Sequence, residues 1–308
     1  MMKVPVILIQ KEQNVKITKM KFKKIYIFLL LLLNLLSFSQ DRIINKYNNF
    51  FLIDDLENVY EAKPHYILNT KELYGMDKKI ELYNFLIDDK VLILFSVLPV
   101  LWNGENWVKV NYNELKDKIV PKEDIDLFIS KKINEKENKS LKYGIVKKIG
   151  NDYYCPSVCL TEFFITRAYD FPFIVNKKTI NINDRKVTIK EMKYFWDKTI
   201  PKYTFPLDMR KRGSLVDGTL ERYYLSKEYS IKGNTAYQFW TFNSWNVFDY
   251  YNLQRGIDRF VYIPNKGIVG GSYDFYFEFH LAPDGKISRD QIWDNIINEK
   301  VMIAEELK

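Results

Sequence analysis

The sequence predicts an α+β protein, with a mixed N-terminal region at residues 41–140 and a mainly antiparallel β-sheet at residues 141–308 that a C-terminal helix closes. Two observations predict this class. Hairpin turns, rather than helical crossovers, separate the β-like runs of the second region, which is typical of antiparallel sheets. Helix-like patterns stand apart from those runs, at residues 121–130 and at the C-terminal end. The pattern does not distinguish a barrel, a sandwich and a curved open sheet.

The N-terminal region begins with residues 41–58, which are compatible with a helix or with a loop that leads into one. Residues 81–87 and 91–98 predict two strands around a turn. The second of these has apolar side chains on both faces, which indicates a strand covered on both sides. Residues 107–111 alternate like the return strand of a hairpin after an Asn-Gly turn signal.

A helix is predicted at residues 121–130. Pro121 suits its first turn, acidic residues follow at the positive end of the helix dipole, and Ile125 and Phe128 share one face. The charged, Asn-rich residues 131–142 predict a linker or a mobile loop.

The C-terminal region predicts strands at residues 171–175, 186–189, 221–229, 235–242 and 259–263. Gly267 ends a hairpin loop in which it is expected to take the left-handed conformation. The clearest period-2 alternation runs over residues 273–281 and predicts a strand with one buried and one polar face. Ser288 is the predicted N-cap of an amphipathic C-terminal helix that packs on the sheet.

Residues 20–40 have the three parts of a secretory signal peptide. A basic start precedes an apolar run that ends at Leu36, and Ser-Phe-Ser supplies a small-x-small cleavage site before Gln40. The apolar run is shorter than the roughly 20 residues of a membrane span, and Met20 is the predicted true start. We therefore expect residues 1–40 to be a leader, export through the Sec pathway, and a periplasmic or extracellular mature protein without a transmembrane segment.

The charge of the chain depends strongly on this leader. The full sequence has a formal net charge of +8. Seven lysines and one glutamate lie in residues 1–40, so residues 41–308 carry 40 basic and 38 acidic residues, a net charge of +2. The basic excess that marks nucleic-acid-binding proteins is missing from the mature part, and no nucleic-acid partner is predicted. Scarce alanine and abundant lysine, asparagine and isoleucine indicate a bacterial, AT-rich genome.

Cys155 and Cys159 are the only cysteines. An isolated pair in an oxidising compartment is typical of a disulfide. A straight strand would separate them by about 13 Å, beyond bridging distance, so the chain must bend, as Pro156 and Ser157 permit. We expect a structural disulfide, with two unreactive thiols or a functional cysteine as alternatives. The C-P-x-V-C spacing resembles the metal loop of thioredoxin-like copper chaperones. However, residues 150–154 indicate a hairpin turn where that family has a strand leading into a helix.

The functional alternative pairs a cysteine with a histidine. His280 lies on the polar face of the predicted strand, and Glu278 on the same face could orient it as a base. The alternative hypothesis is therefore a cell-envelope hydrolase with Cys155 or Cys159 as its nucleophile. The other histidine, His65, falls in a predicted loop, and each histidine is more simply explained as a surface or hydrogen-bonded residue.

Other catalytic and metal-binding patterns are weaker. Asp274 and Glu278 would lie about 13 Å apart along a strand, whereas glycosidase carboxylates are about 5–9.5 Å apart, so we expect a solvated polar face. Two histidines exclude a His-rich metal site, and no glycine-rich phosphate loop, serine elbow or zinc signature is present. The sequence predicts neither a metal nor a cofactor.

Residues 237–251 form the densest aromatic segment, which is typical of a core or of a stacking platform for sugars. Its candidate ligand-binding residues are Trp240, Trp245 and Tyr250, and polar neighbours make the last two the members expected to be exposed. The sequence thus favours an exported, non-catalytic binding or interaction protein, whose partner is a carbohydrate or another envelope protein. The hydrolase is the alternative.

Overall fold

In the computed structural model, residues 1–46 and 47–308 form two compact units. The structure describes residues 43–87, 90–102, 104–134, 139–140, 142–166, 179–208, 210–211, 222–242, 256–279 and 287–308. Residues 43–46, which belong to the first unit, are helical. The helices and strands described below belong to the second unit.

The second unit contains helices together with runs of consecutive strands that form antiparallel-rich sheets, which confirms the predicted α+β class. The strands are β1 (Asn49–Leu52), β2 (Glu61–Ala62), β3 (Tyr66–Asn69), β4 (Lys79–Ile87), β5 (Val91–Val97), β6 (Trp107–Val110), β7 (Lys139–Ser140), β8 (Tyr143–Ile149), β9 (Asp152–Pro156), β10 (Cys159–Ile165), β11 (Arg222–Ile231), β12 (Asn234–Phe242), β13 (Arg259–Ile263), β14 (Gly267–Ser272) and β15 (Met302–Ile303). The α-helices are α1 (Ile53–Val59), α2 (Lys71–Tyr74), α3 (Tyr112–Leu115), α4 (Ile125–Asn134), α5 (Ile189–Thr199), α6 (Asp274–Phe279) and α7 (Arg289–Ile297).

The described strands form three sheets. The first sheet has the order β1-β8-β9-β6, in which β1 and β8 are parallel. The central sheet has the order β2-β4-β5-β10-β7, and β3 also pairs with β4. The C-terminal sheet has the order β11-β12-β13-β14-β15 and is antiparallel throughout, with α7 directly before its last strand. This confirms the predicted C-terminal sheet and helix.

The central sheet is covered on both faces, as predicted for β5, whose residues after Val91 are all buried. On one side, the Phe51 ring of β1 packs 5.7 Å from the Phe95 ring of β5. On the other side, the Phe164 ring of β10 lies 5.3 Å from the Phe260 ring of β13 in the C-terminal sheet. Aromatic rings therefore fill the space on both faces of this sheet, which explains much of the high phenylalanine content.

Asn84 joins the central sheet to the C-terminal sheet. Its Nδ2 donates to the carbonyl oxygen of Ile268 at 3.1 Å, and the backbone N–H of Ile268 donates to its Oδ1 at 2.9 Å. Gly267 lies next to this contact with a φ of +81°, which confirms the predicted left-handed position. A Cβ at residue 267 would lie 2.8 Å from Oδ1 of Asn84. Glycine is therefore required both for the turn and for the approach of the two sheets.

Turn and cap signals in the sequence located several elements correctly. The strands β4, β5, β11, β12 and β13 lie where they were predicted, and α4 confirms the helix after Pro121. Ser288 caps α7, because its side chain accepts a hydrogen bond from the backbone N–H of Gln291. The predicted linker at residues 131–142 contains the last turn of α4 and all of β7. The predicted strand at residues 171–175 lies outside the described residues.

The prediction of a strand at residues 273–281 is wrong, because residues 274–279 form the helix α6. Phe275, Tyr276 and Phe277 are buried, and so are Asp274 and Glu278, which were expected on a solvated face. A segment that is buried on every side has no solvent-facing period, so the alternation of residue types did not report its conformation.

One further strand prediction is wrong, and another strand has a different partner from the one predicted. Residues 186–189 lead into the helix α5, whose N-terminus is closed by a capping box between Thr188 and Glu191. Residues 107–110 do form a strand, but it pairs with β9 in the first sheet and is not the return strand of a hairpin with β5. For residues 107–110, the local pattern indicated the correct conformation, but the sequence did not indicate the strand with which they pair.

Candidate functional site

Of the three aromatic residues predicted to bind a ligand, Trp240 is the one that lies among the described residues. Trp245 and Tyr250 lie outside the described residues. Trp240 is buried, its Nε1 donates to the carbonyl oxygen of Val187 at 2.8 Å, and its ring stacks on Tyr224 with 4.3 Å between centroids. Trp240 is therefore a core residue of the C-terminal sheet.

The predicted disulfide is wrong, because Cys155 and Cys159 are not bonded to each other and both are buried. Each is held in the register of a different sheet: Cys155 lies opposite Val108 on β6, and Cys159 lies opposite Val97 on β5. The chain bends between them, as expected, and the hydroxyl of Tyr47 accepts a hydrogen bond from the backbone N–H of Cys159 at 2.9 Å. The two side chains act as small apolar residues in the core.

Burial, with a contribution from the neighbouring Cys159, raises the pKa of the Cys155 thiol. A thiolate nucleophile needs partial exposure and a lowered pKa, so the surroundings of Cys155 oppose that role. His280 lies outside the described residues. Glu278 is fully buried on α6 and forms an ion pair with Arg289, with 3.3 Å between Oε1 and Nε. Residue 278 is helical, so Glu278 does not lie on the polar face of a strand as predicted.

A fully buried ion pair joins β13 of the C-terminal sheet to α6. Nη1 of Arg259 is 2.6 Å from Oδ2 of Asp274, and the hydroxyl of Tyr74 donates to Oδ1 at 3.1 Å. Burial raises the pKa of Asp274, and the charge of Arg259 opposes that rise. The adjoining cavity, which Trp240 and Asp258 help to line, has a volume of about 10 Å³. That is room for a single water molecule, so this cluster is structural.

A partly exposed cluster between the central sheet and the first sheet has the properties of a binding site. We name it the Trp107 cluster; its members are His65, Glu81, Tyr83, Trp107 and Lys147. Glu81 is at its centre and accepts three hydrogen bonds: from Nε1 of Trp107 at 2.7 Å, from the hydroxyl of Tyr83 at 2.9 Å and from Nε2 of His65 at 3.1 Å. The Glu81 side chain is 17% exposed, so solvent reaches the carboxylate.

The electrostatics of the Trp107 cluster keep Glu81 ionised. Partial burial alone would raise its pKa, but the hydrogen bonds from His65, Trp107 and Tyr83 outweigh this and lower the pKa to about 2. Burial raises the pKa of Tyr83, and the charge of Glu81 raises it further. Burial lowers the pKa of Lys147, while Glu81 acts in the opposite direction. The cluster thus presents an ionised carboxylate and a neutral phenol beside a lysine.

The aromatic rings of the Trp107 cluster are held in fixed positions. The rings of His65 and Tyr83 stack with 4.3 Å between centroids, and Tyr83 meets Trp107 edge to face at 6.1 Å. Nζ of Lys147 lies 3.7 Å from the centroid of the Trp107 ring, which is a cation–π distance. Aromatic carbon, an acceptor and donors therefore lie side by side in one preorganised group.

Two sheets are needed to build the Trp107 cluster. Glu81 and Tyr83 are two residues apart on β4 and project from one face of the central sheet, while Trp107 and Lys147 come from β6 and β8 of the first sheet. From the sequence, His65 was interpreted as a surface or hydrogen-bonded residue, and no contact with Glu81 was predicted. The spacing of Glu81 and Tyr83 on a predicted strand was the available signal, but their partners are brought in by tertiary structure.

Within the part of the chain described above, no three histidine, cysteine, aspartate or glutamate side chains come close enough together to hold a metal ion. Among the described residues, no helix combines the length and apolar character that crossing a membrane requires. Neither a protein family model, nor a curated protein, nor a solved structure matches this chain.

Proposed function

We propose that this chain is an exported bacterial binding protein that holds a carbohydrate at the Trp107 cluster without catalysing a reaction. The observation that carries the proposal is the carboxylate of Glu81, which is kept ionised, partly exposed and surrounded by aromatic rings. Removing this carboxylate from water costs free energy. Three donors fix its orientation, which suits recognition of a polar ligand.

A carbohydrate fits the mixture of groups in this cluster better than a protein partner does. Sugar hydroxyls need acceptors and donors, and Glu81 and Lys147 supply one of each. Sugar C–H faces pack on aromatic carbon, which Trp107 and Tyr83 supply. A protein-binding surface would be expected to have a larger and more apolar centre. The charged character of the cluster therefore favours the carbohydrate.

The hydrolase alternative receives less support from the described residues. Cys155 and Cys159 are buried, and the raised pKa of Cys155 opposes formation of a thiolate. Glu278, the carboxylate that was expected to orient the histidine, is instead buried and paired with Arg289.

Ligand binding is tested by screening the purified protein on a glycan array and measuring the best oligosaccharide by isothermal titration calorimetry. We expect Trp107→Ala to weaken binding at least about tenfold, because it removes both ring contact and a donor to Glu81. The matched control is Trp102→Ala, since Trp102 is 60% exposed and lies outside the cluster. Equal loss in both variants, or no glycan bound by the wild type, would contradict the proposal.

Export is tested separately by the intact mass of the protein purified from an exporting bacterial host. We expect a mass that corresponds to a chain beginning at Gln40 or Asp41, because signal peptidase cleaves after the small-x-small site. An uncleaved mass would contradict the export proposal and would leave the binding proposal standing.

A further inference from the structure

The helix α5 has an outer face of unusual composition. Its inner face is anchored by Ile189 and Trp196, which are buried. Tyr194 and Phe195 project away from the core and are 62% and 54% exposed, and their rings contact each other at 5.6 Å. Large aromatic side chains on the solvent face of a short amphipathic helix are costly to leave in water.

A third exposed aromatic residue follows the end of α5. Tyr203 is 49% exposed, and its carbonyl oxygen accepts a hydrogen bond from Nε1 of Trp196 at 3.0 Å. This bond fixes the segment after the helix beside its last turn. We name the exposed aromatic residues Tyr194, Phe195 and Tyr203, with the lysines described next, the α5 patch.

The α5 patch is positively charged. Lys190, Tyr194 and Lys198 are spaced four residues apart and form one stripe on the outer face of the helix, and Lys202 follows it. Residues 189–203 contain four lysines, one glutamate and one aspartate. Both carboxylates of the segment are already engaged within the helix.

Glu191 closes the capping box with Thr188, and Asp197 pairs with Lys193. Asp294 forms its own ion pair with Lys300 at 2.7 Å. The hydrogen bond from Lys300 lowers the pKa of Asp294, and the charge of Lys190 lowers it further. The lysines of the stripe therefore direct a net positive charge outwards, beside exposed aromatic rings.

We propose that the α5 patch docks this protein on the surface of an anionic lipid bilayer. Aromatic rings and lysines together are typical of segments that lie in the membrane interface, where the rings enter the headgroup region and the ammonium groups meet anionic lipid. An acidic protein would also be attracted by the positive charge of the α5 patch. The adjacent exposed rings favour the lipid interface, which accommodates them without a matching pocket. This proposal is independent of the Trp107 cluster.

The test is co-sedimentation of the full chain with phosphatidylcholine vesicles that contain 30% phosphatidylglycerol, compared with pure phosphatidylcholine vesicles. We expect binding to the anionic vesicles alone, and weakening as salt shortens the Debye length to less than about 10 Å. Lys190→Gln and Lys198→Gln should each lower the partition coefficient about fivefold. The double change of Tyr194 and Phe195 to serine should lower it about tenfold.

Matched controls are Lys79→Gln and Lys116→Gln, two exposed lysines on other elements, and Trp102→Ser for an exposed aromatic residue. We expect these variants to bind as the wild type does, and circular dichroism to show the same fold for all. Wild-type protein that does not bind the anionic vesicles would overturn the assignment and leave an acidic protein as the occupant. Equal losses in patch and control variants would overturn the patch itself.

Discussion

Replacement of Glu81 by glutamine tests the electrostatic core of the Trp107 cluster. The carboxylate accepts hydrogen bonds from Trp107, Tyr83 and His65, and glutamine has one acceptor oxygen and presents an NH₂ group to the remaining donors. We expect a loss of stability at neutral pH, because at least one of these donors loses its partner.

The magnitude follows from the pKa of Glu81, which is lowered from 4.5 to about 2. At 1.36 kcal/mol per pH unit, the full effect is about 3.4 kcal/mol. Solvent reaches the carboxylate, and screening reduces the expected value to about 2 kcal/mol. In a urea titration followed by tryptophan fluorescence, this lowers the midpoint by roughly 0.7–1 M for a chain of this size.

The dependence on pH separates this explanation from a simple packing defect. A carboxyl group with a lowered folded-state pKa stabilises the protein fully above its unfolded pKa of 4.5, and this contribution is lost as the pH falls towards 2. The difference between wild type and Glu81→Gln should therefore shrink across that range. Glu105→Gln, at an exposed position, is the control and should change stability by less than about 0.5 kcal/mol. A difference that stays constant with pH would show that the charge of Glu81 is not the cause.

Three further predictions concern the core. Iodoacetamide should alkylate neither cysteine in the native protein and both in urea, as measured by intact mass, because both thiols are buried; modification of the native protein would contradict this. Arg259→Ala should destabilise by about 3–5 kcal/mol in chemical denaturation by leaving Asp274 buried without its counter-ion, and the double change Arg259→Met with Asp274→Leu should recover most of that loss. Gly267→Ala should lower the thermal midpoint more than Gly233→Ala does, because both have positive φ but only Gly267 has a close neighbour; equal effects would count against the steric argument.

Strands with strong local signals could be predicted from the sequence. The β4–β5 pair has apolar runs of strand length, and the C-terminal hairpins have glycine turns, so backbone conformation is set within a few residues. The same holds for Ser288, whose hydroxyl caps a helix by a contact three residues away. These features depend on short-range sterics and hydrogen bonds between residues that are close in the sequence, so local sequence patterns predict them.

One fully buried segment could not be predicted in this way. The alternation at residues 273–281 indicated a strand, and residues 274–279 fold as a helix, because every face of that segment meets protein. The cysteines show a related limit. Their spacing was compatible with a disulfide, but the registers of two different sheets hold them as two thiols that are not bonded to each other.

Local periodicity and turn chemistry were enough to establish the α+β class, the antiparallel C-terminal sheet and the positions of its turns. The meeting of polar residues from separate elements depended instead on how the sheets pack. His65, Glu81 and Trp107 are distant in the sequence and become a single group when the first sheet packs beside the central sheet. The exposed rings of α5 likewise became visible only when Trp196 showed which face of the helix is buried. Contacts of this kind join residues far apart along the chain, and a pattern that spans a few residues holds no information about them.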